Sequence, residues 1–193
     1  MSNTLNDKLI SPGWPAVWFI YSLDNLWRSV LIPFVLTFLS LIVCFFSDKS
    51  PIVLLTYISD VIVSVCPSIL GFTLSGYALM MGLSDSAFIK GLMRYKEEGK
   101  PYSMFQSLNS TFAIVLGVAF ITTIVGVVAG IIIKTDINLP NSLLCYSNIY
   151  NWLCLSLLFF LLFYTINSIK DIVVNIFNFG QYVQACSESE NVE

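Results

Sequence analysis

Residues 61–84 read VIVSVCPSILGFTLSGYALMMGLS, twenty-four positions without an ionisable side chain, enclosed by Asp60 and Asp85. The length of that run decides the fold. About 20 apolar residues in helical form cross the ~30 Å of a bilayer's hydrocarbon, and a charge held at its centre costs on the order of 2.5–3.5 kcal/mol. Working outward, three further charge-free gaps are long enough, at 29–47, 101–133 and 137–169. The gaps at 9–23 and 172–187 are short and broken by prolines, glycines or amides. The pattern predicts an all-α, integral membrane four-helix bundle.

Composition agrees. Of 193 residues 56% are hydrophobic and only 11% charged, against roughly 25% charged in ordinary soluble domains. Too few polar side chains remain to cover a water-soluble sphere of this size. Nine basic against twelve acidic residues, net −3, cannot assemble the basic face of a nucleic-acid binder, so no direct nucleic-acid binding is expected. There is no histidine, which removes the commonest general base and metal ligand. Asp60, Asp85, Asp136 and Asp171 are scattered over both sides of the bundle, with no nucleophile elbow near them. No catalytic residue, cofactor or metal is expected. Cys44, Cys66, Cys145, Cys154 and Cys186 form no C-x-x-C pair and read as small core hydrophobes.

The expected organisation is an interfacial segment at 1–28, a first span at 29–47, a kinked second span at 52–83 and a hairpin loop at 84–108. A third span at 109–133, an outer loop at 134–150 and a fourth span at 151–170 follow. The chain ends in an amphipathic extension at 171–185 and an acidic, disordered tail at 186–193. Trp14, Trp18, Tyr21 and Trp27 are the ring types that sit at headgroups, and no cleavable signal pattern precedes them. Lys8, Arg28, Lys90, Arg94, Lys96, Lys100 and Lys170 lie on one side of this layout and only Lys49 and Lys134 on the other. That bias places both termini and the hairpin in the cytoplasm.

Small and polar residues recur along the helices. Ser29, Pro33, Thr37, Ser40, Cys44 and Ser47 share one face of the first span, and Thr56, Asp60, Ser64, Ser68, Gly71 and Ser75 one face of the second. Pro67, Gly71, Ser75 and Gly76 read as a hinge and packing stripe, with the kink at 63–71. Gly126 and Gly130 form a G-x-x-x-G pair that allows backbones to touch. Asp60, with Ser64 one turn on, is the candidate sensing or pore residue, because an ionisable group in a span must be paired, hydrated or protonated; the alternative leaves it at the outer headgroups. Lys90, Arg94 and Lys96 offer a docking surface for a cytoplasmic partner, on a short helix whose apolar flank reads as Phe88, Leu92 and Met93. In the extension, Tyr164, Ser168, Asp171, Asn175, Asn178 and Tyr182 share a polar face, opposite Ile169, Ile172, Val173, Ile176 and Phe177.

The run Pro67-Ser68-Ile69-Leu70-Gly71-Phe72-Thr73-Leu74-Ser75-Gly76-Tyr77-Ala78, closing with Gly82-Leu83-Ser84-Asp85, resembles a family of small four-span bacterial membrane proteins found with antiphage systems, the membrane subunits of the Kiwa defence system. The resemblance covers the whole chain in architecture and about twenty residues in motif. It implies a homo-oligomer, a tetramer, in the bacterial inner membrane, which detects phage infection and works with a cytoplasmic DNA-binding effector. It carries no catalytic residues to this sequence. A rival expectation from a different class is a small cation-conducting pore that depolarises the membrane, lined by the Thr56 to Ser75 stripe with Asp60 at its outer mouth.

Overall fold

The computed structural model describes residues 13–21, 23–82, 87–96, 99–135 and 147–190. Six helices occupy them: α1 (Trp14–Tyr21), α2 (Leu23–Phe45), α3 (Pro51–Gly82), α4 (Ala87–Arg94), α5 (Met104–Lys134) and α6 (Ser147–Glu190). Among the described residues the sole β feature is an isolated bridge between Lys96 and Ser103. Expectations for Asp85, Asp136, Cys145 and most of the outer loop fall outside the described residues.

Three helices are long and apolar enough to cross a membrane, α3, α5 and the Ser147–Phe177 part of α6. No more than a third of any of these apolar windows is buried inside the chain. The remainder faces outward, a far larger apolar surface than a soluble monomer exposes, and hydrocarbon is the solvent that accommodates it. In α2 the corresponding apolar stretch is only Ser29–Phe45, about 25 Å of helix. Asp24 and Arg28 shorten it at the N-terminal end.

Helix ends depart from the expected span limits in instructive places. Helix α2, expected as a span from residue 29, begins at Leu23, since a charge ends the apolar sheath without ending backbone hydrogen bonding. The third span starts five residues earlier than residue 109. Ser103 caps α5 reciprocally, its Oγ accepting from Gln106 N at 3.2 Å while Gln106 Oε1 accepts from Ser103 N at 2.9 Å, the capping-box arrangement. The expected kink at 63–71 leaves α3 unbroken, with Pro67 inside it. The tail expected to be disordered from residue 186 continues α6 to Glu190; the one glycine on the way, Gly180, costs only about 1 kcal/mol relative to alanine.

The chain divides into two compact units. One comprises Arg28–Phe72 and Leu116–Asn167. In it α2 and α6 run antiparallel, with Ser29 beside Asn167 at one end and the Phe45 and Trp152 rings 6.3 Å apart at the other. Helices α3 and α5 are antiparallel as well. Leu55, Ile58, Ile62 and Cys66 of α3 pack with Leu155, Leu158 and Leu162 of α6 to form its core.

The second unit comprises Met1–Trp27, Thr73–Val115 and Ser168–Glu193. Its core is Met80, Leu108, Phe112, Val115 and Ile172, with the Tyr77 and Phe112 rings 5.7 Å apart. Helix α4 buries Ile89 and Leu92 and exposes Met93, so its apolar flank differs from the one expected. The Phe88 side chain lies outside the described residues. In the α6 extension the polar side turns inward, with Ser168 buried, while Val173, Ile176 and Phe177 are exposed. The inward turn has a partner to explain it, because Asn175 Nδ2 donates to Thr111 Oγ1 at 3.2 Å.

Candidate functional site at the helix crossings

Closest approach in the first unit occurs where α3 meets α5. Ser59 Oγ donates to the Gly126 carbonyl at 2.8 Å. A Cβ built on Gly126 would overlap the Ile62 side chain, and one on Gly130 would stand 2.8 Å from Ser59 Oγ. Gly126 has no room for a Cβ, and at Gly130 one fits only if the Ser59 hydroxyl turns away, so the glycines keep the two helices close. Gly76, in the second unit, is looser, its built Cβ 3.9 Å from Phe112.

One turn beyond this contact, Lys134 Nζ donates to Asp60 Oδ1 at 2.8 Å. Lys134 is the last residue of α5, where the helix dipole favours a cation. The side chains remain 59% and 57% exposed, so in water this pair contributes at most about 1 kcal/mol. Asp60 is thus paired, and Lys134, which sequence reasoning counted only as an outer cation, is its partner.

Two buried polar contacts tie α6 to its neighbours. Thr122 and Thr165, both fully buried, share a hydrogen bond at 2.9 Å between their hydroxyl oxygens, and Thr165 also donates to Leu161 O. Such interhelical bonds in membranes are worth about 0.6 kcal/mol on average. The second contact repairs a proline. Pro33, buried within α2, has no N–H for the Ser29 carbonyl one turn earlier, and Asn167 Nδ2 donates to that carbonyl at 3.1 Å. Thr37 is buried on the same face, and its hydroxyl is the buried side-chain oxygen without a hydrogen-bond partner among the described residues.

The two small-residue stripes fare differently. On α2, Ser29, Pro33 and Thr37 are buried and Ser40 and Cys44 half-buried, so that stripe faces its own chain. On α3, Thr56 is half-buried while Asp60, Ser64, Pro67, Ser68, Gly71 and Ser75 are exposed. The buried line of α3 is instead Leu55, Ser59, Ile62 and Cys66. The Pro67, Gly71 and Ser75 stripe points away from its own chain, and a Cβ on Gly71 would meet nothing within 4 Å. Its hydroxyls turn back to their own helix, Thr56 to Ile52 O, Ser64 to Val61 O and Ser68 to Ser64 O.

Lys90, Arg94 and Lys96 are all exposed, on α4 and the residues just after it. Among the described residues no three His, Cys, Asp or Glu side chains come close enough to hold a metal ion. Sequence reasoning passed over Ser59, Thr122, Thr165 and Asn167. A proline inside a span was the usable signal for the last, since it announces a carbonyl in need of a donor. Compared with known proteins, the chain matches no family model, no curated protein and no solved structure.

Proposed function

We propose that this chain is a non-catalytic membrane scaffold and sensor that crosses the bacterial inner membrane four times, with α2 as the shortest crossing and both termini and the hairpin in the cytoplasm. Copies associate through the outward face of α3 into a homo-oligomer, a tetramer. Packing changes in that assembly pass through the hairpin and the end of α6 to a cytoplasmic DNA-binding effector that docks at Lys90, Arg94 and Lys96. The resemblance of residues 67–85 to Kiwa membrane subunits supports a role in antiphage defence, with phage-induced membrane change as the stimulus.

The observation that carries the reading is the exposed line of Ser64, Ser68 and Gly71 on a helix otherwise dressed in Val, Leu and Phe. Small residues with satisfied hydroxyls let two backbones meet closely, which is how helices associate where lipid is as apolar as leucine. Such interfaces reposition between discrete packings, the kind of element a sensor needs.

Mass measurement of the detergent-solubilised chain tests self-association. A single oligomeric mass that falls to the monomer in Ser64→Leu/Ser68→Leu/Gly71→Leu is expected, and an unchanged mass rejects the interface. Effector recovery in pull-downs should fail for Lys90→Ala/Arg94→Ala/Lys96→Ala; unchanged recovery rejects that docking site. The same hydroxyl line favours one rival, a cation pore. Conductance whose selectivity changes in Asp60→Asn would establish the rival, and an electrically silent oligomer in planar bilayers removes it.

A further inference from the structure

We infer that the outward face of α4 and the turn after it bind the anionic phosphodiester headgroups of the adjoining leaflet. The inference rests on the four-crossing placement proposed above and adds to it a lipid class and the residues that select it.

Connectivity puts this face at the headgroups. The apolar helix α3 ends at Gly82 and α4 begins at Ala87; the five steps between those residues reach at most ~18 Å. The far end is tied back too. Tyr95 O accepts from Met104 N at 3.0 Å, and Lys96 bridges to Ser103 at the start of α5. The return turn passes through Gly99, whose φ of 80° is a conformation that favours glycine. Helix α4 is therefore held at both ends beside two apolar helices.

Its orientation is fixed as well. Ile89 and Leu92 are buried in the chain's own unit, which leaves Lys90 and Arg94, one turn apart, on the exposed side with Lys96 just beyond. None of the three makes an ion pair among the described residues. Residues 87–103 carry four cations against two acids, Glu97 and Glu98. Met93 and Tyr95 are 45% and 44% exposed between the cations, the apolar component an interfacial helix sinks between headgroups. In the same unit α1 exposes Trp14 and Trp18 one turn apart, side chains suited to that depth.

Charge complementarity selects the lipid. A cation at an anionic surface gains about fivefold in local association, so Lys90, Arg94 and Lys96 together give a factor of about 100 over neutral phosphatidylcholine. Phosphatidylglycerol supplies one negative phosphodiester per molecule at that height.

Amide exchange of the full-length protein in nanodiscs of phosphatidylcholine, with and without phosphatidylglycerol, tests the inference. Phosphatidylglycerol should slow exchange across residues 89–96 by about tenfold or more. High salt should abolish the effect, as should Lys90→Ala/Arg94→Ala/Lys96→Ala or the length-preserving Lys90→Gln/Arg94→Gln pair. Exchange in the middle of α5 reports that each variant is folded. Equal exchange in the two lipid mixtures, or protection that survives both variants, overturns the inference. Protection of these amides by an added effector but never by phosphatidylglycerol would assign the face to protein alone. Lipid protection with effector recovery unaffected by the triple variant would keep this inference and reject the docking site.

Discussion

Substituting Gly126 by alanine adds one methyl group where α3 and α5 leave no room for it. The new Cβ would fall on the Ile62 side chain, and Ile62 cannot swing aside because it is fully buried in the core with Leu155 and Leu158. Overpacking of this kind costs about 1–3 kcal/mol. The intrinsic gain of replacing glycine by alanine in a helix, about 1 kcal/mol, offsets part of that cost. The net expectation is a loss of up to about 2 kcal/mol, together with a weakened Ser59 to Gly126 hydrogen bond as the backbones separate. Reversible unfolding of the micelle-bound protein, followed by circular dichroism, reads it. Gly71→Ala is the control within the single chain, read at a detergent excess that keeps the protein monomeric: there its added methyl meets nothing within 4 Å, so a stabilisation of about 0.4–1 kcal/mol is expected. The decisive arm repeats Gly126→Ala in an Ile62→Ala background, where the obstructing methyls are gone. There the penalty should vanish, giving a coupling of at least 1 kcal/mol between the two sites. If Gly126→Ala stabilises as Gly71→Ala does, or costs the same in both backgrounds, the close approach of α3 and α5 does not exist.

The remaining expectations concern single polar groups. Asn167→Leu strips the donor from the Ser29 carbonyl and should cost about 0.6–1.7 kcal/mol. Pro33→Ala, which restores an N–H to that carbonyl, should suppress the loss in the double variant, and failure to suppress would refute the repair. Thr37→Val removes a buried hydroxyl that has no partner among the described residues and should stabilise by about 1 kcal/mol in the same unfolding assay; destabilisation would mean the hydroxyl is bonded in the native assembly. Ser103→Ala breaks the capping box and should cost about 1 kcal/mol, seen as faster amide exchange in the first turn of α5. Unaltered exchange at residues 104–106 would show that the cap is dispensable.

Charge-free gaps located the long helices because the penalty they track is large and one-signed. Which face of each helix is covered was far less legible. In water a moment of hydrophobicity marks the inside, but in lipid the outside is as apolar as the core. On α3 the periodicity of Thr56, Asp60, Ser64 and Ser68 was plain, yet the buried line is Leu55, Ser59, Ile62 and Cys66, about 150° away around the helix at 3.6 residues per turn. On the α6 extension two faces were legible but not which one the chain covers: Asn175 bonds to Thr111 and Ile172 joins the core, while Val173, Ile176 and Phe177 are exposed. Helix starts were missed where side chains bond locally: the reciprocal Ser103 and Gln106 pair lies within four residues and was visible as S-x-x-Q. The ion pair of Asp60 with Lys134 could not be found in the same way, because 74 positions separate the partners.

The bond between Asn167 and the Ser29 carbonyl joins residues 138 positions apart, and synthesis gives that separation a duration. At roughly 5–20 residues per second, the opened turn at Pro33 exists for about 10 s before the amide that closes it has been made. During that interval the Ser29 carbonyl lacks its Asn167 donor, and α6 must be made before the chain can supply it. Polypeptides released before α6 is made therefore differ from longer ones at a backbone carbonyl of α2, which keeps its turn without the Asn167 amide.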